Sequence, residues 1–410
     1  RAAWLLAGPE TLEIALRAAR TTAVREIFAT SETPGASSVA SFVVGDPPTA
    51  PASSIQPEVD LVALLYSSGT GGPSKGVMLT HRNLVAGLCQ LITAEPCDDR
   101  EVILGILPFF HMYGLSVLHY AIAQGATLVT LPRFDLASCL RALQEYRVTR
   151  AFLAPPVLVS LAKHPLVDEF DLSHLRIVQS GGAPLGEAVA REVAARVGCD
   201  VRQAYALTEC YPALRIGDTD PEMRRVASVG RAVANLECQI VDPATGEPLG
   251  PGQAGELWLR GPQVMTGYLN QPAATSATMT ADGWLRTGDL VSIDQDGFVT
   301  VVDRLKELIK YKGYQVAPAE LEALLLKHPA VADAAVIPSP DDRSGEVPKA
   351  FVVARQVVTS EELMTWVAAR VAPYQRVRRL QFVTEIPKSP SGKILRRVLV
   401  EQERAAMRAH

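Results

Sequence analysis

Residues 1–200 alternate short apolar runs with segments whose apolar residues recur at helical spacing. Within residues 11–20, for example, Leu12, Ala15, Leu16 and Ala19 share one helical face. The apolar runs predict strands at residues 2–6, 25–29, 103–108, 127–131, 149–154 and 175–180. The spaced segments predict helices at residues 11–20, 136–146, 156–163 and 186–197, with another that begins after a Thr80 cap. This alternation predicts an α/β fold.

The pattern changes twice after residue 225. Residues 226–302 contain shorter strands separated by Gly-rich turns, which predicts a β-rich subdomain. A charge-dense break at residues 303–306 predicts a domain boundary, with a compact α+β domain after it. In that domain, Thr359 and Glu362 form a capping-box pattern ahead of a helix.

Composition narrows the function classes. With 410 residues, the chain exceeds the usual size of one hydrophobic core, so two or more domains are expected. It is 48% hydrophobic and 20% charged, as globular proteins are. A net charge of -4 gives no basic field that would attract nucleic acid or an anionic membrane.

The six cysteines form no C-x-x-C pair, which argues against a zinc site or a disulfide framework. No apolar run approaches the roughly 18 residues of a membrane span. Reduced thiols and the lack of a visible signal peptide predict a cytoplasmic protein. Because the chain opens with Arg1, we expect it to be a fragment of a longer protein.

Residues 66–76 (YSSGTGGPSKG) have the composition of a phosphate-binding loop. Glycines let the backbone approach a ligand, consecutive N–H groups and hydroxyls can surround an anion, and Lys75 supplies a positive charge. A plain Gly/Ser hairpin loop is the alternative. The segment is not a G-x-x-x-x-G-K-[ST] loop, because Ser74 precedes Lys75 and a β-branched run follows.

Four further segments carry side chains suited to a nucleotide site. His111 follows an apolar strand, where ligands bind in open α/β sheets, although an isolated His is more often structural. Residues 180–185 pass from strand to small residues to helix, which suits a flat ring or simply a tight turn. Tyr205, Thr208 and Glu209 could stack on a base, bond a phosphate and hold Mg²⁺, unless they belong to a surface strand. Asp289 follows a Gly turn and could accept ribose hydroxyls or merely close an Asx turn.

Taken together and in this order, the motifs resemble those of the adenylate-forming superfamily of acyl-CoA synthetases, luciferases and peptide-synthetase adenylation domains. The strongest likeness is to 4-coumarate/cinnamate–CoA ligases. The motifs that carry it are residues 67–70 (SSGT), 75–81 (KGVMLTH), 107–115 (LPFFHMYGL), 205–209 (YALTE), 283–289 (GWLRTGD), 303–313 (DRLKELIKYKG) and 391–395 (SGKIL). Each alone is moderately specific, and the whole set covers nearly the entire chain.

The resemblance implies a large N-terminal domain (residues 1–303) of mixed and parallel sheets flanked by helices, with its β-rich subdomain at about 226–302. A small mobile α+β domain (residues 304–410) would follow a hinge at 303–306 that contains Lys306. It implies an ATP-dependent acid–thiol ligase that makes an acyl-adenylate and then an acyl-CoA, with ATP, Mg²⁺ and coenzyme A. The acid would be aromatic, of the cinnamate or coumarate kind.

The resemblance also implies residue roles. For ATP and AMP these are Ser67, Ser68, Gly69, Thr70, Gly71, Gly72, Lys75, Gly182, Ala183, Gln203, Ala204, Tyr205, Thr208, Asp289, Arg304, Lys310, Gln315 and Lys393. The catalytic set is Lys393, Thr208, Glu209 and His111, with Glu209 on the metal. The acyl pocket comprises His111, Tyr113, Gly182, Ala204 and Leu207, and coenzyme A meets Arg133, Lys312 and Gly313.

The chain departs from the family pattern in three places. Gly71 stands where a second Thr is usual, and Pro73–Ser74 reverses the usual order before Lys75. Ala204 and Ala206 replace glycines around Tyr205. A domain-sized N-terminal region of the family is absent, so a missing segment or a second chain is expected to cover apolar surface.

Two alternatives to the CoA ligase remain open. One is an adenylating enzyme that loads an acyl carrier protein, which would use the same tunnel. The other is a non-catalytic nucleotide-binding remnant, suggested by the altered loop and the missing start. A luciferase-like oxidation is the least favoured reaction.

Overall fold

The computed structural model describes residues 2–42, 54–67, 74–217, 225–341, 343–389 and 392–408. The chain divides into two compact units, Arg1–Ile55 and Gln56–His410. Each unit is described by itself.

The first unit is a small α/β layer. Its elements are β1 (Trp4–Ala7), α1 (Leu12–Ala19), β2 (Glu26–Ala29) and β3 (Ser37–Ser38). The three strands are parallel, in the order β1-β2-β3. Leu12 of α1 packs with Ile27 and Ala29 of β2 because the apolar face predicted for residues 11–20 turns toward the strands.

The second unit contains the remaining elements. Its strands are β4 (Leu61–Ser67), β5 (Lys75–Thr80), β6 (Val102–Gly105), β7 (Thr127–Thr130), β8 (Arg150–Leu153), β9 (Ile177–Ser180), β10 (Asp200–Leu207), β11 (Cys210–Arg215), β12 (Arg231–Ala232), β13 (Glu237–Val241), β14 (Ala254–Arg260), β15 (Gly267–Tyr268), β16 (Leu285–Ile293), β17 (Val299–Arg304), β18 (Ile309–Tyr311), β19 (Tyr314–Val316), β20 (Val331–Asp341), β21 (Gly345–Ala354) and β22 (Arg379–Phe382). Its helices are α2 (His81–Ala94), α3 (Met112–Gln124), α4 (Leu136–Glu145), α5 (Pro155–Lys163), α6 (Glu187–Val197), α7 (Pro272–Thr278), α8 (Pro318–Leu325), α9 (Ser360–Ala368) and α10 (Arg396–Arg408).

A seven-stranded sheet in the order β12-β11-β10-β9-β8-β6-β7 is the centre of this unit. The five strands β10, β9, β8, β6 and β7 are parallel. At one edge, β11 pairs antiparallel with β10, and β12 pairs antiparallel with β11. One face packs against α4, α5 and α6 around fully buried residues such as Leu140 and Leu158. The other face packs against α2 and α3 around Tyr120 and Phe152. Because both faces are covered, the central strands β6 and β8 consist mainly of buried residues, as the apolar runs in the sequence predicted.

The segment after residue 225 forms a four-stranded antiparallel sheet, β13-β14-β16-β17. β14 alternates buried and partly exposed residues, which is the period-two pattern of a sheet with one covered face. Two short strands of this segment pair elsewhere: β12 joins β11 at the edge of the seven-stranded sheet, and β15 pairs with β5 in the sheet β15-β5-β4. β4 and β5 form the hairpin that carries the Gly-rich loop, with Ser67 opposite Lys75 at its base.

The C-terminal region is α+β. Its sheet has β21 at the centre, paired with β18, β20 and β22, and β18 also pairs with β19. α8 and α9 pack on this sheet through Leu321 and Leu363. Thr359 accepts a hydrogen bond from the Glu362 backbone, and Glu362 bonds back to Thr359, so the predicted capping box is present.

The α/β class with a small α+β C-terminal region is confirmed. The sequence pattern missed α3, α7, α10 and the β18–β19 hairpin. The domain boundary at 303–306 stays a prediction, since Asp303 and Arg304 lie within β17. Among the described residues, no helix is long and apolar enough to cross a membrane.

The contact between α2 and β11 gives a test of the packing. A Cβ added at Gly87 would lie 2.3 Å from the carbonyl oxygen of Tyr211. We predict that Gly87→Ala lowers the free energy of unfolding by about 1–3 kcal/mol through overpacking, despite the better helix propensity of Ala. The measurement is the midpoint of urea denaturation.

The matched control is Gly250→Ala, where the nearest atom, Gln253 Oε1, is 3.6 Å from the added Cβ. It should change the free energy of unfolding by no more than about 0.5 kcal/mol. If Gly87→Ala were as stable as the unsubstituted chain, α2 would not pack this closely on β11.

Candidate active site

One cavity of about 430 Å³ within the second unit brings together many of the predicted site residues. They come from distant parts of the sequence: the base of the β4–β5 hairpin, the start of α3, the ends of β9 and β10, and the C-terminal region. The predicted residues that line it are Ser67, Lys75, His111, Tyr113, Gly182, Ala204, Tyr205, Leu207, Thr208, Glu209, Arg304, Lys306 and Lys393.

The carboxyl ends of the parallel strands β9 and β10 form one wall, which is the usual position for ligands in open α/β sheets. Gly181 and Gly182 follow β9 directly and line the cavity. A Cβ at Gly181 would lie 2.9 Å from the Tyr113 ring, so only glycine lets that ring sit so close. The Tyr113 hydroxyl donates to the Gln179 carbonyl oxygen at 2.9 Å, which fixes the ring against this wall.

Lys75, Tyr268 and Glu209 form a connected set on a second wall. The Lys75 ammonium lies 4.4 Å from the centre of the Tyr268 ring, a cation–π distance. The Tyr268 hydroxyl donates to Glu209 Oε1 at 2.7 Å. Lys75 at the base of the Gly-rich hairpin is therefore linked through Tyr268 to the carboxylate predicted to hold a metal.

Asp289 lies behind the cavity wall. It is 2% exposed and is held by two residues that do line the cavity. The Tyr205 hydroxyl donates to its Oδ2 at 2.6 Å, and Arg304 Nε lies 3.0 Å from its Oδ1. Burial raises the pKa of the Asp289 carboxyl, and Arg304 opposes that rise. In this arrangement Asp289 positions Tyr205 and Arg304.

Lys393 reaches the cavity from the C-terminal region. Gly392 before it has φ +81°, and a Cβ there would lie 3.0 Å from Pro156 at the start of α5. Burial lowers the pKa of the Lys393 ammonium to about 8, and nearby Arg304 adds to this effect. The described carboxylates Glu307 and Asp289 oppose the shift without cancelling it.

His111 stands at the N-cap of α3. Its Nδ1 accepts a hydrogen bond from the Tyr113 backbone N–H at 3.2 Å, which leaves Nε2 as the protonated nitrogen of a neutral ring. Burial lowers the pKa of His111, and the nearby Lys393 lowers it further. The imidazole is therefore a neutral wall of the cavity close to the Lys393 ammonium.

Several predicted residues do not line the cavity. Gln203 instead acts as a structural tie, because it accepts from the Leu185 N–H at 3.2 Å and donates to the Val226 carbonyl oxygen at 2.7 Å. The β18–β19 hairpin keeps its predicted residues outside the cavity. The residues outside are Ala183, Gln203, Asp289, Arg133, Lys310, Lys312, Gly313 and Gln315. Ser68, Gly69, Thr70, Gly71 and Gly72 lie outside the described residues.

Sequence reasoning missed several lining residues. Tyr268 and Thr278 reach the cavity through long-range pairing of β15 and the unpredicted helix α7. Tyr211 and Arg215 belong to β11. One signal was available for Arg215, since it is the only charged residue of the otherwise apolar segment 210–216.

The cavity suits a magnesium–nucleotide complex better than a bare metal. No group of three or more His, Cys, Asp or Glu side chains that could hold a metal ion occurs in the described part of the chain. Two carboxylates line the cavity, and hydrogen bonds from Trp258 and Gly288 occupy both oxygens of Glu256. Glu209 keeps Oε2 outside any hydrogen bond among these residues, which fits Mg²⁺ held by one carboxylate plus phosphate oxygens.

Comparison with known proteins gives two family matches. Residues 8–269 match the model of the AMP-binding enzyme family, and residues 320–393 match the model of the AMP-binding enzyme C-terminal domain. The peroxisomal OPC-8:0-CoA ligase 1 of Arabidopsis thaliana is 47% identical over 349 residues, which is 83% of this chain. This chain spans 64% of that relative's length, less than two thirds. The 4-coumarate–CoA ligase of Pinus taeda is 44% identical over 374 residues, covering 89% of this chain and 70% of the relative.

Several solved structures of related enzymes are similar to this chain over most of its length. ATP-bound MatB from Rhodopseudomonas palustris is 29% identical, with a TM-score of 0.88, covering 98% of this chain and 79% of the other. The apo form of MatB, over the same shares, gives a TM-score of 0.73, so this chain is more similar to the ATP-bound form. The anthranilate CoA ligase AuaEII in complex with anthranoyl-AMP is 26% identical with a TM-score of 0.89, covering 99% of this chain and 79% of the other. Together with the two family matches, these likenesses show that the chain belongs to the AMP-binding enzyme family.

Proposed function

We propose that this chain is an ATP-dependent carboxylate–CoA ligase that forms an acyl-adenylate and then an acyl-CoA thioester. The observation that carries the proposal is the position of Lys393 in one cavity with Thr208 and Glu209. The relatives named as CoA ligases support the same reaction class.

The chemistry explains why cations collect in this cavity. In the first step a carboxylate oxygen attacks the α-phosphorus of ATP, and pyrophosphate leaves. Both reactants are anionic, so positive charge at the reacting centre offsets their repulsion. Lys393 would bridge the carboxylate and the α-phosphate, and Thr208 would donate to that phosphate. Magnesium at Glu209 would supply further charge to the phosphates.

The remaining roles follow from the same layout. Ser67 and Lys75 at the hairpin base would meet the β- and γ-phosphates, together with the loop between them. Tyr205 would flank the adenine, and Arg304, positioned by Asp289, would hold the ribose. His111 and Tyr113 would form the gate and wall of the acyl pocket.

The second step needs different surroundings. The thiol of coenzyme A attacks the acyl carbon, AMP leaves, and the thiol proton goes to solvent. The β18–β19 hairpin, with Lys310, Lys312 and Gly313, lies outside the cavity. We propose that rotation about a hinge at Lys306 brings this hairpin to the cavity, where Gln315 would also approach the nucleotide and Arg133 would meet a CoA phosphate.

The acid is proposed to be aromatic. Tyr113, Tyr211, Leu207 and Ala204 line the acyl side of the cavity and suit a flat ring. Relatives named for 4-coumarate and for anthranilate support this choice, whereas another is named for OPC-8:0.

A panel of carboxylic acids tests the function. We expect pyrophosphate release that depends on the acid, and thioester formation with coenzyme A exceeding that with a holo-carrier protein. Greater transfer to the carrier would make this chain a carrier-loading enzyme. Binding of ATP without acid-dependent pyrophosphate release would make it a non-catalytic nucleotide binder.

Lys393→Ala separates the two half-reactions. Because Lys393 lies in the adenylation arrangement, the substitution should slow adenylation by about 10²–10³-fold. Thioester formation from supplied acyl-AMP should change by less than about threefold, since that step uses the hairpin face. The two rates are measured separately, by pyrophosphate release and by consumption of acyl-AMP.

Lys388→Ala is the matched control. Lys388 lies in the same loop but pairs with Asp333 at 2.5 Å and does not line the cavity. Both half-reactions should survive this change. Equal loss of both half-reactions in Lys393→Ala would overturn the assignment.

The lowered pKa of Lys393 predicts a pH dependence. The ammonium is charged below its pKa of about 8 and neutral above it. The kcat/KM for ATP in adenylation reports the free enzyme, so it should fall as pH rises through about 8. Arginine stays protonated across this range, so Lys393→Arg should retain weak activity without that fall. Coincident pH profiles for the two proteins would show that Lys393 is not the titrating group.

A further inference from the structure

The inner part of the cavity contains a buried guanidinium. Arg215 lines the cavity at the end of β11, and its side chain is 2% exposed. It pairs in register with Ala204 of β10, another lining residue. Burial acts to lower the pKa of Arg215, but the Glu95 carboxylate and the Tyr211 phenol outweigh burial and raise it, so the group is charged.

The neighbouring carboxylate is shared. Glu95 Oε1 accepts from Arg215 Nη1 at 2.7 Å, and its Oε2 accepts from Arg150 Nη1 at 3.1 Å. Glu101, the next carboxylate along, lies 3.9 Å from Arg150 and pairs with Arg176 at 2.6 Å. Arg215 is the member of this ionic cluster that lines the cavity.

Arg215 and Lys393 reach the cavity from different elements. Arg215 is the last residue of β11, whereas Lys393 lies in the loop before α10.

A chain of contacts runs between the two cations along the acyl side of the cavity. His111 lies near Lys393 and accepts from the Tyr113 N–H. The Tyr113 ring centre is 6.3 Å from that of Tyr211, whose hydroxyl accepts from Arg215 Nη2 at 2.8 Å.

We propose that Arg215, assisted by Tyr211, selects acids that carry an oxygen acceptor at the end remote from the reacting carboxylate, with a second carboxylate the strongest form. This specificity rests on the proposed ligase function. A guanidinium binds such oxygens through charge-assisted hydrogen bonds. An acid with an apolar far end would cover the guanidinium without pairing it, which is costly in a buried site.

The first experiment compares matched acids on the unsubstituted chain. Pyrophosphate release is measured with 4-methylcinnamate against 4-carboxycinnamate, and with octanoate against octanedioate. Within whichever pair the protein adenylates, the kcat/KM should be higher for the acid with the distal carboxylate by about 10- to 100-fold. A preference for the apolar member would overturn the specificity and leave the ligase function intact. Failure of every acid to release pyrophosphate would contradict the ligase function and the specificity together.

The second experiment removes the guanidinium. Arg215→Met keeps an unbranched side chain, and Arg150 remains to pair with Glu95, so no carboxylate is orphaned. The kcat/KM for the distal carboxylate should fall by about 10- to 100-fold, while that for the apolar partner should stay within about threefold or rise. Equal losses for both acids would show that Arg215 is merely structural.

Two further variants serve as controls for the removal of the Arg215 guanidinium. Arg176→Met removes a guanidinium from the same ionic cluster, but its side chain is 63% exposed and outside the cavity, so the ratio between acids should not change. Arg215→Lys keeps the charge and should retain a preference of the same sign. Loss of that preference in Arg215→Lys, equal to the loss in Arg215→Met, would count against recognition by charge.

Discussion

The candidate active site depends on the burial of one ammonium group, that of Lys393, in a cavity that already contains other cations. Six cationic side chains and two carboxylates line the cavity among the described residues. Burial and Arg304 together lower the pKa of Lys393 to about 8. Such an arrangement is unfavourable by itself and becomes favourable when an anion binds, so the cavity favours anionic ligands.

The C-terminal region holds Lys393 in place through charges of its own. Arg396, three residues further on, pairs with Glu307 and with Glu322, the latter at 2.6 Å. Burial raises the pKa of Glu322 to about 7, and Arg396 opposes that rise. Glu322 also accepts the Val336 N–H at 2.8 Å, which ties α8 to β20. Together with the close approach of Gly392 to Pro156, these contacts fix the direction from which Lys393 enters.

Local chemistry made much of the fold predictable from sequence. The buried strands have continuous apolar runs, and α2 and α9 begin at Thr80 and Thr359 with capping boxes. Residues at strand ends, such as His111 and Thr208, could be placed because parallel strands share one ligand-binding edge. Lys393 was placed only through the family resemblance, since nothing local tells which cavity a distant Lys will enter.

The site features that the sequence did not predict depend on contacts between distant segments. The Tyr268–Glu209 hydrogen bond and the Gln203 tie join segments far apart in sequence, and such pairs leave no periodic signal. Asp289 is buried behind Tyr205 and Arg304 and pairs with both, an arrangement that its Gly-turn motif does not indicate, and its role at the ribose stays a prediction. Arg215 stands out in the sequence as a charge in an apolar strand. Its environment, however, depends on a hydrogen bond to Glu95, which lies far away in the sequence.

Chemical labelling of Lys393 tests whether this cavity binds an acyl-adenylate. With a pKa of about 8, about half of the Lys393 amine is neutral at pH 8, so acetic anhydride should acetylate it in the unliganded chain. A non-hydrolysable acyl-sulfamoyl adenosine, filling the cavity, should protect Lys393 while the exposed Lys327 reacts as before. Mass spectrometry of the two peptides measures both rates. Equal acetylation of Lys393 with and without the analogue would contradict the account, because the cavity would then not be an adenylate site.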